Sequence, residues 1–254
     1  MTRVLSFNSL KGGVGKTTCA VLFGRVLVEA GHSVLMIDLD PQYSLSSFYC
    51  RGEPPLEQSV ARYLKHRRVG LSDVVMRHDG LDLLPSSVEL IDYGIERKLK
   101  RNSYALARKL ERDEVRSRYD YIIVDTPPTF SFLNSLAVPL VDLVYVVTVP
   151  EAWAVRAISL YLSTLREFTD KLDTRYQDIH VIVNRFDSGQ VLDRRTLEAF
   201  ERRFAEYYVA PPIPFSNALR NFVLNQGQYK NYFQRVYEPV QEIVAKTLSE
   251  PSNV

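Results

Sequence analysis

The chain has 254 residues, 46% of them hydrophobic and 24% charged, the balance of a well-packed globular protein with room for one large α/β domain or two small ones. Its formal net charge is only +2, which excludes a polycation, so any nucleic-acid surface has to come from local clustering. No apolar run approaches the ~20 residues of a membrane span, and Cys19 and Cys50 have neither CxxC nor metal-ligand spacing, which fits a reducing cytosol.

The chain opens straight into a strand-like RVLSFN with no signal-peptide pattern, so we expect no separate N-terminal DNA-reading domain. Short, nearly continuous apolar runs follow at 4–7, 33–37, 81–84, 121–124, 143–149 and 179–183, as expected for parallel strands covered on both faces. Helical stretches lie between them, at about 16–30, 88–116, 152–168 and 192–207, and 218–248 reads as two more helices. The alternation predicts an α/β fold, a doubly wound and mostly parallel sheet flanked by helices, in a single domain over 1–254 with the helices of about 216–248 packed on it. The segment 42–79 is the least regular and reads as helices and loops at the rim, with a basic KHRR at 65–68 read as a solvated helix end.

VLSFNSLKGGVGKTTCAVLFGRVL places a glycine-rich turn between a strand and a helix, the context of a phosphate loop. Gly12, Gly13 and Gly15, with Val14 between them, let backbone N–H groups approach phosphate oxygens at a helix N-terminus. Lys16 is expected on the β- and γ-phosphates, the Thr17 hydroxyl on Mg²⁺, and Thr18 on the α-phosphate. The second strand ends in IDLDPQ, where Asp38 and Asp40 alternate along an extended segment. One can support Mg²⁺ and its waters while the other faces the γ-phosphate and attacking water. YIIVDTPP ends a hydrophobic strand in Asp125, a Walker B pattern expected to hold Mg²⁺. VNRFD carries Asn184, which can read a base edge, and Asp187, which can cap the next helix.

With these motifs in order, the sequence resembles the ParA/MinD family of deviant-Walker P-loop ATPases, through KGGVGKTT, IDLDPQ, LLPSS, YIIVDTPP and VNRFD. DLDPQ is similar to the ParA/Soj branch in particular. The resemblance implies ATP rather than GTP, with Asn184 at the adenine, and a nucleotide-sandwich homodimer. Lys11 matches the family's signature lysine and is implied to reach the phosphates held by the partner subunit. Asp40 is implied to organise the hydrolytic water, with Asp38 its neighbour on the Mg²⁺ side. A second cation at the front of the loop then has a physical reason: two ATP molecules buried face to face repel, and a lysine from each subunit offsets this.

The same resemblance implies a cytoplasmic, nucleoid-associated protein. Its ATP dimer would bind DNA without strong sequence preference, and a ParB-like or cargo-adaptor protein would stimulate hydrolysis. The cargo would be a plasmid, a chromosome or another body. Candidate DNA contacts are Arg194, Arg195, Arg202 and Arg203 on one predicted helix, then Arg220, Lys230 and Arg235. Asp193, Glu198, Glu201 and Glu206 are interleaved there, so a salt-bridged helix face competes with DNA contact. The basic stretch at 97–118 reads as a solvated face or a partner-docking helix. IPFSNALRNF departs from the family, which often has an arginine where Phe215 stands. The main alternative is a MinD-like membrane-associated positioning ATPase, but the acidic residues Glu238, Glu242 and Glu250 argue against a basic amphipathic tail. An iron–sulphur reductase would need two cysteines after the central strands, and a nucleotide-binding scaffold without hydrolysis would not need Lys16, Asp40 and Asp125 together.

Overall fold

The computed structural model describes residues 2–78, 80–95, 102–128, 130–224 and 234–249. Among them an eight-stranded sheet forms the centre, in the order β3-β4-β2-β5-β1-β6-β7-β8. The strands are β1 (Arg3–Asn8), β2 (Val34–Asp38), β3 (Met76–His78), β4 (Leu81–Leu84), β5 (Tyr121–Asp125), β6 (Leu143–Thr148), β7 (Asp178–Val183) and β8 (Tyr208–Val209). All pairings are parallel except β3 with β4.

Period-two side-chain alternation splits the core between the two faces of this sheet. Leu35, Ile37, Ile122, Val124, Val144 and Val146 face one side, where the packing helices are α3 (Val60–Lys65), α4 (Leu90–Ile95), α5 (Ala105–Arg112), α6 (Phe132–Ala137), α7 (Ala154–Leu172) and α8 (Val191–Arg203). Leu5, Phe7, Met36, Ile123, Leu143 and Tyr145 face the other, against α1 (Lys16–Glu29), α2 (Ser44–Cys50), α9 (Asn217–Leu224) and α10 (Gln234–Ser249). Both faces are covered, which is why the strands read as continuous apolar runs. From β1 the chain first builds the sheet towards β3 and then, after β5, towards β8. β1 lies at the reversal of strand order, where an open α/β sheet has its ligand crevice at the carboxyl ends of the strands.

The doubly wound, mostly parallel sheet flanked by helices is as expected, and the differences lie at its edges. Two strands were not anticipated, the antiparallel β3 and the two-residue β8, both too short to leave an apolar pattern. A single helix is expected over 88–116; residues 96–101 of it lie outside the described residues, and the described part gives α4, a turn at Ser103–Tyr104, α5 and a 3₁₀ turn at Val115–Ser117. Its Ala-, Leu-, Lys- and Arg-rich composition favours helix throughout. The end is set by Glu114 in a left-handed conformation (φ 50°).

Candidate nucleotide site

β1 delivers the chain to a loop whose bends fall on glycine. Gly13 and Gly15 have φ of 78° and 93°, and Gly15 is the residue from which α1 starts. A Cβ on Gly15 would lie 2.2 Å from Nδ2 of Asn184. That amide is buried and donates to the Val14 carbonyl at 2.8 Å. Asn184, at the exit of β7, therefore braces the underside of the loop. The first turn of α1 has no acidic residue, so the positive end of its dipole faces the loop without a carboxylate to neutralise it. Thr17 and Thr18 lie in that first turn, and Gly12 and Gly13 are exposed at the loop's outer side.

The two lysines of the loop have different surroundings. Lys16 is 7% exposed, and its ammonium lies 2.8 Å from Oδ1 of the fully buried Asp125. The other oxygen of Asp125 accepts from the Thr17 hydroxyl at 2.6 Å. Lys11 is 57% exposed and pairs with Glu151, in the segment leaving β6. No motif marked Glu151. The one signal available for it was its position just past the carboxyl end of a strand.

Asp38 and Asp125 are register partners at the ends of adjacent strands. Asp38 is fully buried and accepts from Ser46 N–H (2.9 Å), the Ser46 hydroxyl (2.7 Å) and Asp40 N–H (3.0 Å). Burial, with the Asp125 carboxylate alongside, outweighs these bonds and pushes its pKa up to about 7. Burial also raises the pKa of Asp40, whose Oδ1 accepts from Gln42 N–H at 3.0 Å. Ser46, the main partner of Asp38, was not singled out by sequence. Thr17 and Asp125 present hard oxygen donors suited to a divalent cation, and Lys16 supplies a cation beside them. This donor set and the glycine cradle fit a magnesium-bound nucleoside triphosphate.

The remaining candidates lie elsewhere. Asp187 does not cap α8. It closes a turn on Gly189 N–H, and its own N–H donates to Asp193. Arg194, Arg195, Arg202 and Arg203 are exposed on α8. Among the described residues none of the four is ion-paired, contrary to the salt-bridged alternative; Arg202 reaches only the Glu198 carbonyl, and Arg194 the Ser188 carbonyl. They spread over about half of the helix circumference. Arg220 falls on α9, Arg235 is exposed on α10, and Lys230 lies outside the described residues. Phe215 is exposed, and its segment runs beside the β7 exit, with Phe186 N–H bonded to Ile213 O and Phe215 N–H to Phe186 O. Cys19 is buried under the loop with its thiol pushed up to about 12, mainly by burial. No helix among the described residues is long and apolar enough to cross a membrane.

Residues 2–178 match the AAA domain family. Two uncharacterised proteins of Mycobacterium tuberculosis are 28% identical over 80% of this chain, which spans 64% of their length. The chromosome-partitioning ATPase Soj of Thermus thermophilus is 30% identical, over 84% of this chain and 81% of its own. The crystal structure of a Borrelia burgdorferi plasmid partition protein bound to AMPPNP superposes with a TM-score of 0.82 at 26% identity, covering 97% of this chain and 100% of that one. Glycine cradle, paired strand-end carboxylates and relatives agree, and the chain belongs to the AAA domain family as a ParA/Soj-type member of the ParA/MinD deviant-Walker P-loop ATPases.

Proposed function

We propose that this protein is an ATPase that dimerises on ATP, binds DNA non-specifically in that state, and partitions or positions a plasmid, chromosome or other cargo. The observation that carries this reading is the separation of the two loop lysines. Lys16 is committed to the buried Asp125, whereas Lys11 stands exposed at the loop's mouth with only an exposed carboxylate, Glu151, as its partner. A surface pair of this kind contributes little, so Lys11 is cheaply released to a stronger anion. Four of the nine large apolar side chains exposed among the described residues add support. Val88 and Ile91 follow β4, Trp153 follows β6, and Phe215 lies beside the exit of β7, all in segments leaving the carboxyl ends of strands of the sheet. A second copy facing the loop would cover them.

In this reading Gly12 to Thr18 hold the triphosphate, with Lys16 on its terminal phosphates. Asn184 supports the loop and stands on the base side. Thr17, Asp38 and Asp125 hold Mg²⁺, which neutralises phosphate charge when bound. Asp40 orients the attacking water, and Lys11 serves the triphosphate of the partner subunit. The exposed arginines of α8, with Arg220, Lys230 and Arg235, contribute DNA contacts. A ParB-like or cargo-adaptor protein accelerates hydrolysis, and the protein is cytoplasmic and nucleoid-associated. The MinD-like membrane reading is disfavoured by α10, because Val236, Val240, Ile243 and Val244 are already buried against the α1 side of the core.

Light scattering with a non-hydrolysable ATP analogue tests the proposal. The scattering mass should double with the analogue and stay monomeric with ADP. Lys11→Ala should bind nucleotide yet remain monomeric; an analogue-induced dimer in that variant would remove Lys11 from the interface.

A further inference from the structure

Among the described residues, 65–78 hold four Lys and Arg (Lys65, Arg67, Arg68 and Arg77) against one carboxylate, Asp73, and 108–118 hold five against three. Two stretches separate in sequence, KHRR and the basic run before β5, are brought together by the fold. Arg112 donates to the carbonyls of Arg67 (2.5 Å) and Val69 (2.8 Å), and Lys109 to that of His66 (2.7 Å), so α5 lies across the end of α3. Arg118 donates to the Asp113 carbonyl and lines, with Arg77, a groove of about 770 Å³ beside β3 and the start of β4.

Three carboxylates of this region already have partners, while Glu111 and Glu114 stand exposed. Asp113 takes Arg112, the Tyr63 hydroxyl and Leu71 N–H; Asp82 takes Tyr119; Asp73 takes Gly70 N–H. Arg67, Arg68 and Arg77 are exposed, and among the described residues no hydrogen bond or ion pair holds their side chains. The crowding is felt by Lys109, whose pKa is lowered by burial and by Arg112. Exposed arginines whose guanidinium groups are free suit phosphate oxygens, which accept two parallel N–H bonds from each.

We propose that the edge formed by the end of α3, α5 and β3 binds the phosphate backbone of duplex DNA, through Arg67, Arg68 and Arg77. This rests on the DNA-binding reading above and adds a surface to it. The β3 edge and the α8 edge are seven strand spacings apart, roughly 34 Å at about 4.8 Å each. Contacts at both edges would engage separate stretches of backbone, and a dimer doubles the number of phosphates neutralised. Since affinity falls with salt roughly in proportion to that number, dimer formation would switch DNA binding on without any change of shape in the edge itself.

The test is filter binding of random-sequence duplex DNA with a non-hydrolysable ATP analogue over a salt series. It uses the full chain and the Arg67→Glu/Arg68→Glu/Arg77→Glu variant, with Arg194→Glu/Arg195→Glu in parallel. The triple variant should keep nucleotide binding and dimer mass, bind DNA at least ~10-fold more weakly, and lose about 0.9 in salt slope for every phosphate contact removed. Unchanged affinity and slope, with only the α8 variant impaired, would overturn the proposal and leave the DNA reading intact. Failure of the unmutated protein to bind DNA with the analogue would overturn both. Loss of poly-glutamate binding in the triple variant, with DNA binding unaltered, would assign the edge to an acidic protein instead.

Discussion

Gly15 shows how tightly one residue can be specified. Its φ of 93° lies where a side chain is strained, and the space a Cβ would need holds Nδ2 of Asn184 at 2.2 Å. Gly15→Ala should therefore push the amide off the Val14 carbonyl as well as distort the loop. We expect a loss of about 2–4 kcal/mol, from the backbone conformation and the displaced buried hydrogen bond together. Asn184→Ala removes the same bond while vacating the space, and should cost about 1–2 kcal/mol. In the double variant the clash is gone, so its loss should be smaller than the sum of the single losses. Urea unfolding of the four proteins measures this coupling, and strict additivity would show that the amide and the glycine do not constrain each other.

At the scale of elements, β2 and β5 end side by side, so the parallel pairing itself sets Asp38 against Asp125. With its pKa raised from 3.8 to about 7, Asp38 holds its proton in the folded protein at pH values where the unfolded chain has released it. The folded state thus binds more protons between about pH 4 and 7, and stability must decline as pH rises through that window, then level off. Without nucleotide or metal, the melting temperature should fall from pH 5.5 to 7.5 and flatten beyond. Asp38→Asn should flatten the decline; an unchanged slope in that variant would place the titration elsewhere. These strand ends were legible because strand, turn and helix leave a local pattern: GKTT, DLDPQ and IIVD each carry their role within a few residues. Glu151 and Ser46 were not, since they meet Lys11 and Asp38 only through the order of strands and the course of α2. The α3–α5 contact was hidden for the same reason, being made largely by side chains donating to carbonyls, which no residue pattern records.

At the scale of the molecule, the proposed dimer makes stability depend on how much protein is present. A ligand that binds only the folded chain raises the melting temperature by an amount set by its own concentration. A ligand that also joins two folded chains adds a term in protein concentration, because unfolding then separates the subunits. Tenfold more protein is worth about 1.4 kcal/mol per dimer, or half that per chain, and a chain of this size gains about 2 °C from it. With a non-hydrolysable ATP analogue, we expect the melting temperature to climb by that amount per tenfold rise in protein. With ADP it should rise once and then stay level. Lys11→Ala should behave with the analogue as the unmutated chain does with ADP, since Lys16 and the glycine cradle still hold the triphosphate within one subunit. Lys16→Ala should lose even the concentration-independent rise, because it removes the cation from the subunit's own site and leaves the buried Asp125 without a compensating charge. Calorimetry over a hundredfold range of protein concentration separates the two lysines. A concentration dependence retained by Lys11→Ala would mean that the subunits are joined by the apolar segments alone.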